Sequence, residues 1–310
     1  MLFGQDPGDL YMVFRGEQDL FYSVGRLNSV VLGAATVFLV YLIGRRLWGE
    51  RAGLVAAALL AVSFLHVRNS QYAVNDVPSA FFLVLSFYYA VRLAEKGRWR
   101  DYLLAGLMAG LAASTKYNAG LVVVSVAAAH WVYHGKAREM IQWGPLRKLG
   151  LSAGAALAGF VLGTPYSVLD HEAFREGFLS QLGLGGAAWS GQSLAPTAWQ
   201  ILTGVVHGTG LVASILALLG IGLLVALDRR RGLLLLSFPV AYFAFMAAME
   251  LFFVRWVVPL VPFATLLGAR GLEGVVDRVS GRGRRLAMFG LVALALLQPA
   301  AYSVRLDWLV

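Results

Sequence analysis

Four ionisable residues sit in short polar connections between long apolar runs. Arg68 and Asp76 lie in "HVRNSQYAVNDVPSAFF", Lys116 in "AASTKYNAGLVV" and Arg255 in "MELFFVRWVVPLVPF". A charge next to hydrocarbon is costly, so such residues are functional candidates by default. A guanidinium can grip a phosphate through two parallel N–H donors, and an ammonium binds it as a point charge. A carboxylate among them can take a proton or hold a cation. Each residue also has a plainer reading. Asp76 can be the N-cap of a helix that carries Pro78 in its first turn, where the missing N–H costs nothing. Lys116 can snorkel to the headgroups, and Arg255, next to Trp256, can be an interfacial anchor.

The elements that must position these residues are membrane helices. Of 310 residues, 59% are hydrophobic and 14% charged, with a mean hydropathy of +0.69. A soluble domain carries roughly a quarter charged residues, so composition makes this an integral membrane protein. The net charge of +9 is spread over short loops between apolar spans, which argues against a nucleic-acid partner. There is no cysteine, hence neither a disulfide nor a thiolate metal site. The polar, acidic opening "MLFGQDPGDLYMVFRGEQDLFYS" does not read as a secretory signal.

Ten apolar segments are visible: 26–43, 52–66, 78–92, 102–114, 119–133, 149–164, 200–227, 232–249, 256–269 and 286–304. A perpendicular span needs about 20 residues. The shorter segments must extend into their flanks or be re-entrant, and 102–114 with 119–133 could form one interrupted helix. The expectation is an all-α polytopic protein of about ten transmembrane or re-entrant helices. If the loops alternate from an outside N-terminus, 19 of the 26 Lys and Arg residues fall inside, as the positive-inside rule demands. Arg68, Lys116 and Arg255 are exceptions, all on the outside. Three misplaced cations on one side, with an acid among them, favour an anion-binding site over three separate anchors.

Other signals are structural. His130 and His134, one helical turn apart at an inside helix end, are read as interface decoration rather than metal ligands. Asp170, His171 and Glu172 resemble the first turn of a helix, where the dipole favours acids, and they lack the spacing of a metal site. Gly106 and Gly110 in "LLAGLMAGLAAS" form a small-xxx-small pattern for close helix packing. The longest outside connection, 165–199, is rich in Gly, Ser and Pro, with an amphipathic helix expected around 170–182. No phosphate-binding loop, dinucleotide fingerprint or serine-hydrolase elbow appears.

One stretch, "VGRLNSVVLGAATVFLVYLIGRRLWGERAGLVAAALLAVSFLHVRNSQYAVNDVPSAFF", resembles the polyprenyl-phosphate-dependent glycosyltransferases of the GT-C fold. It is most similar to the dolichyl-phosphate-mannose-protein mannosyltransferase and aminoarabinose-transferase-like superfamily. "AGLAASTKYNAG" looks like the family's lysine turn, "GTPYSVLDHEAF" its downstream loop and "VRWVVPLVPFATLLGARGL" its arginine-bearing helix start; together these cover most of 20–275. The resemblance implies a GT-C-like fold and a multi-pass enzyme of a prokaryotic cell membrane with its site facing outside. Such an enzyme moves a sugar, with inversion, from a polyprenyl-phosphate carrier to a hydroxyl of a protein, lipid or glycan. It implies that Lys116 and Arg255 hold the carrier phosphate, that Arg68 assists, and that Asp76 is catalytic. Asp76 would orient the acceptor, or ligate a divalent metal where one is used.

The family normally opens with one further membrane helix and a large outside loop bearing its principal acid. Asp6, Asp9, Glu17 and Asp19 do not match that motif. The resemblance therefore implies an N-terminally truncated member. Residues 1–25 would be a remnant of that loop, and 26–310 the transmembrane domain. A transporter or flippase of lipid-linked sugars would also place cations at the membrane, but the inverted repeats common in transporters are not visible. A non-catalytic membrane scaffold is the third class.

Overall fold

Inside hydrocarbon a chain can satisfy its backbone N–H and C=O groups only within itself, which makes long apolar segments helical. The computed structural model describes residues 18–187, 194–249, 252–281 and 283–307. Among them there is no strand. Helix α1 (Gln18–Trp48) is followed by α2 (Glu50–Ala61), which turns back against it, and by α3 (Phe64–Ser70), bent 61° from α2. The next elements are α4 (Asp76–Lys96), α5 (Trp99–Thr115), a 3₁₀ turn (Tyr117–Val122), α6 (Val123–His134) and the short α7 (Ala137–Met140). Helix α8 (Trp143–Gly163) leads through the single turn α9 (Tyr166–Leu169) to α10 (His171–Ala187). The chain continues with α11 (Leu194–Thr209), α12 (Leu211–Leu227), bent 115° from it, and α13 (Arg229–Ala247). A second 3₁₀ turn (Val254–Leu260) opens α14 (Val261–Val276), and α15 (Gly283–Asp307) follows.

All ten expected segments fall on helix, and the fold is all-α and polytopic. Among the described residues, five helices are long and apolar enough to cross a membrane, or up to seven if each bent pair is one span. Segments 102–114 and 119–133 are separate helices, parted by Lys116 and the 3₁₀ turn. Two differences from the sequence reading have physical causes. Segment 200–227 is two helices, because Gly210 takes a φ of 90° between α11 and α12. Residues 18–25, expected in an outside loop, form the first turns of α1; residues 1–17 lie outside the described residues. The amphipathic helix expected near 170–182 is α10, and Asp170 caps it by accepting the Ala173 N–H at 3.2 Å.

The core is the packing of α4 against α1, α5, α6 and the second 3₁₀ turn, with Phe263 in ring contact with both Phe87 and Phe238. By contrast α8 and α15 are mostly uncovered, with Leu157, Leu162, Leu286 and Phe289 exposed. Such apolar faces belong in lipid. The arginine-rich turns converge at one end: Arg46 Nη1 meets Glu95 Oε2 at 2.9 Å, and Lys148 Nζ donates to the Gly97 carbonyl at 2.8 Å. Asp76 opens α4 and Lys96 closes it, so Asp76 lies at the opposite end, about 30 Å away at 1.5 Å per residue. His130 is buried rather than displayed at the surface. Its Nδ1 lies 2.6 Å from the Tyr102 hydroxyl and its Nε2 3.3 Å from the Met140 carbonyl, which staples α5, α6 and α7 together.

The Gly106–Gly110 pair does what its spacing predicts. A Cβ on Gly106 would collide with the Ser152 carbonyl oxygen, and one on Gly110 with that of Ala156, so α5 and α8 meet backbone to backbone. Gly154, on the same α8, has nothing near its missing Cβ. We expect Gly110→Val to cost about 1–3 kcal/mol or more through overpacking. Gly154→Ala should be neutral or slightly stabilising. Thermal unfolding of both variants in detergent checks the contrast, and equal melting temperatures would contradict it.

Candidate functional site

Asp76, Lys116 and Arg255 are far apart in sequence, and each sits where a helix begins or ends. Asp76 is the first residue of α4, and its N-cap position is held by Asn75, which makes no side-chain cap. Asp76 is thus not the cap its sequence suggested. Its carboxylate is turned instead into the protein, leaving the residue 1% exposed. Pro78 sits in that first turn, where the helix has no N–H to lose. Lys116 is the extended residue that ends α5 and precedes the first 3₁₀ turn. Arg255 is the second residue of the other 3₁₀ turn.

Lys116 Nζ donates to Asp76 Oδ1 at 2.5 Å, joining α5 to α4. Both partners occupy favourable helix ends: the carboxylate lies at the positive start of α4 and the ammonium at the negative end of α5. Burial lowers the lysine's pKa from its ordinary value, Asp76 raises it, and Arg255 lowers it again, so Arg255 stands within electrostatic reach of the pair. The Lys116 ammonium also lies 5.8 Å from the centre of the Trp256 ring, a cation–π arrangement. Trp256 is therefore part of the cluster rather than a separate interfacial anchor.

Residues the sequence did not single out hold this arrangement. The Tyr242 hydroxyl donates to the Trp256 carbonyl at 2.8 Å, accepts from Asn118 Nδ2 at 3.2 Å, and feels the Asp76 charge. It thus ties α13 to both 3₁₀ turns. Its only sequence signal is a tyrosine inside an apolar run. Asn75 Nδ2 donates to the Thr115 carbonyl at 3.1 Å, a second link between the start of α4 and the end of α5.

Arg68 is placed differently. Its guanidinium lies 5.8 Å from the Tyr72 ring centre, and among the described residues no ion pair joins it to Asp76. The polar residues around it serve the backbone. His66 Nε2 lies 3.1 Å from the Gly33 carbonyl, Asn69 Nδ2 donates to Leu65 O at 2.7 Å, and Ser70 Oγ to His66 O at 2.8 Å. Part of the polarity of this connection therefore secures α3 against α1.

The cluster brings together one carboxylate and two cations, a net charge of +1 that suits a singly charged phosphodiester. It does not suit a divalent metal. Among the described residues of the cluster Asp76 is the sole acid, and an ammonium already occupies it.

The chain is similar to several known proteins. Residues 21–162 match the dolichyl-phosphate-mannose-protein mannosyltransferase family. An undecaprenyl phosphate-alpha-4-amino-4-deoxy-L-arabinose arabinosyl transferase of Pseudomonas aeruginosa (strain UCBPP-PA14) is 33% identical over 152 residues, which is 47% of this chain and 26% of that protein. The chain thus spans about a quarter of the length of the curated relatives it matches. Among solved structures, ArnT from Cupriavidus metallidurans bound to undecaprenyl phosphate superposes with a TM-score of 0.63 at 17% identity, covering 86% of this chain and 48% of that one. The archaeal oligosaccharyltransferase AglB from Archaeoglobus fulgidus, in complex with an inhibitory peptide and a dolichol-phosphate, superposes with a TM-score of 0.52 at 14% identity. It covers 88% of this chain and 43% of that one. The fold is the GT-C fold that the sequence resembles.

The pair makes a stability prediction. Asp76→Asn leaves a largely buried ammonium uncompensated and should cost about 3–5 kcal/mol. Asp76→Leu combined with Lys116→Met removes both charges, and should cost less than the two single losses added together. Unfolding of Asp76→Leu, Lys116→Met and the double variant in detergent measures this coupling; strictly additive losses would show that the pair contributes nothing as a pair.

Proposed function

We propose that this chain carries the donor-phosphate site of a membrane glycosyltransferase that moves a sugar from a polyprenyl-phosphate carrier to a hydroxyl-bearing acceptor. The observation that carries this reading is the Asp76–Lys116 ion pair with Arg255 in electrostatic reach, at the end of the bundle opposite the arginine-rich turns. Support comes from the GT-C fold, the family match over 21–162, and relatives and structural neighbours whose names carry undecaprenyl phosphate or dolichol-phosphate.

The chemistry follows from what each group can donate. The ammonium has three N–H bonds; one stays with Asp76 and the others turn to the carrier phosphate. Arg255 supplies the second cation, and Arg68, in the neighbouring connection, is held in reserve for the phosphate or the sugar. The acceptor oxygen attacks the anomeric carbon from the face opposite the phosphate. The bond from that carbon to the phosphate oxygen breaks, the phosphate leaves on its lipid with one more negative charge, and the configuration inverts. Lys116 and Arg255 stabilise that growing charge. The acceptor hydroxyl gives up its proton to a carboxylate. Asp76 Oδ2, which has no hydrogen bond among the described residues, is the oxygen we assign to orienting that hydroxyl. The active face is proposed to be the outer side of a prokaryotic cell membrane, because the cation-rich turns gather at the other end.

A transfer assay in membranes carrying the complete gene product tests the assignment. Lys116→Ala and Arg255→Ala should each lower transfer by about 10²-fold, as loss of one charge-stabilising donor does. Asp76→Asn should lower the turnover more than it weakens carrier binding. Unchanged transfer in both Lys116→Ala and Asp76→Asn would sink the site. Movement of carrier across proteoliposomes without any glycosyl product would instead favour a transporter.

A further inference from the structure

At the opposite end from Asp76, an open pocket of about 870 Å³ is enclosed by the end of α1, the start of α2, the end of α14 and the first turns of α13 and α15. Its charges are nearly balanced. Two of its arginines are already committed, Arg284 to Asp277 at 2.5 Å and Arg231 to Asp228 at 3.0 Å. That leaves Arg51 and Arg270 with Glu50 and Glu273. Among the described residues none of these four forms an ion pair within 4 Å, although Arg51 and Arg270 both act electrostatically on Glu273.

Opposite charges that share a pocket without meeting are an unfilled arrangement. Glu50 has a local explanation in the first turn of α2, where the dipole favours an acid. Glu273 has none: it lies in the last turn of α14, where the dipole opposes it. The Trp48 side chain also lines the pocket, although its indole N–H is shielded from solvent. Leu47, Leu54 and Met288 give the pocket an apolar wall.

We propose that this pocket binds the headgroup of a zwitterionic phospholipid carrying a primary ammonium, an ethanolamine lipid. Arg51 and Arg270 take its phosphate, Glu273 takes its ammonium, and the acyl chains follow Leu54 and Met288. A multiply charged anion is disfavoured because the two carboxylates cancel the two free arginines. A choline headgroup is disfavoured because its quaternary nitrogen has no N–H to give Glu273. The site lies about 30 Å from Asp76 and does not depend on the donor-phosphate reading.

Native mass spectrometry of the delipidated full chain, titrated with phosphatidylethanolamine, phosphatidylcholine and phosphatidylglycerol, tests this directly. Phosphatidylethanolamine should bind about tenfold more tightly than either of the others. Arg270→Gln should weaken it by a similar factor, and Glu273→Gln should abolish the preference over phosphatidylcholine while leaving the melting temperature in detergent near that of the parent. Exposed Arg138→Gln is the neutral control. Equal binding of the three lipids by the unmutated chain would overturn the proposal, as would tighter phosphatidylglycerol binding. Competition by soluble phosphoethanolamine at the same concentration as the lipid would also overturn it, by assigning the site to a soluble ester.

Discussion

Backbone that is not helical can lie within a membrane protein only where other protein groups take up its hydrogen bonds, and this chain interrupts its helices repeatedly. Several of these interruptions are met by a polar side chain from elsewhere. At the break after α2, Ser63 Oγ donates to the Gly208 carbonyl at 2.6 Å, and Ser303 Oγ to that of Val62 at 3.1 Å. The two sharp bends of the fold are therefore fastened to each other. Beyond the second bend, Gln298 Oε1 accepts the Leu211 N–H at 2.9 Å. At the second 3₁₀ turn the same duty falls to Tyr242. The candidate site is built from these interruptions, because only a helix end can present a cation or a carboxylate off the side of an otherwise apolar bundle.

The ion pair gains from this construction. Two isolated charges at this depth would each carry a desolvation cost of several kcal/mol. Placing the carboxylate at a helix start and the ammonium at a helix end offsets part of it through the dipoles, and the 2.5 Å contact offsets more. Trp256 covers the ammonium with a ring face in place of water. What remains is a cationic surplus from Arg255, which an entering phosphate would neutralise.

The two ends of the bundle use charge in opposite ways. One concentrates a few groups around a single pair; the other spreads many arginines over short turns and pairs several with acids, as in Arg46–Glu95 and Arg284–Asp277. Asp101 shows the limit of that strategy. It is fully buried, 2.9 Å from Arg92 Nε, yet poorly aligned for a hydrogen bond with it, so the contact is mainly Coulombic.

The fold class, the helical segments, the polarity of the two ends and the small-residue seam at Gly106 and Gly110 follow from sequence alone, because hydrophobicity, charge bias and residue size act locally and need no partner to be read. Asp76, Lys116 and Arg255 were visible for the same reason: each is a charge where composition forbids one. Their assembly was not visible, since pairing Asp76 with Lys116 depends on α4 and α5 packing antiparallel about the turn at Gly97, which brings the start of α4 beside the end of α5. The 115° bend between α11 and α12 was hidden inside one continuous apolar run, where a glycine taking a positive φ leaves no mark in hydropathy. Tyr242 was invisible too, since a buried hydroxyl looks like any aromatic until the carbonyl it serves, 14 residues away, is folded against it. Sequence determined which residues are out of place in a membrane. Only tertiary structure decided which of them meet, because that depends on helix directions and breaks set by packing between segments distant in the chain.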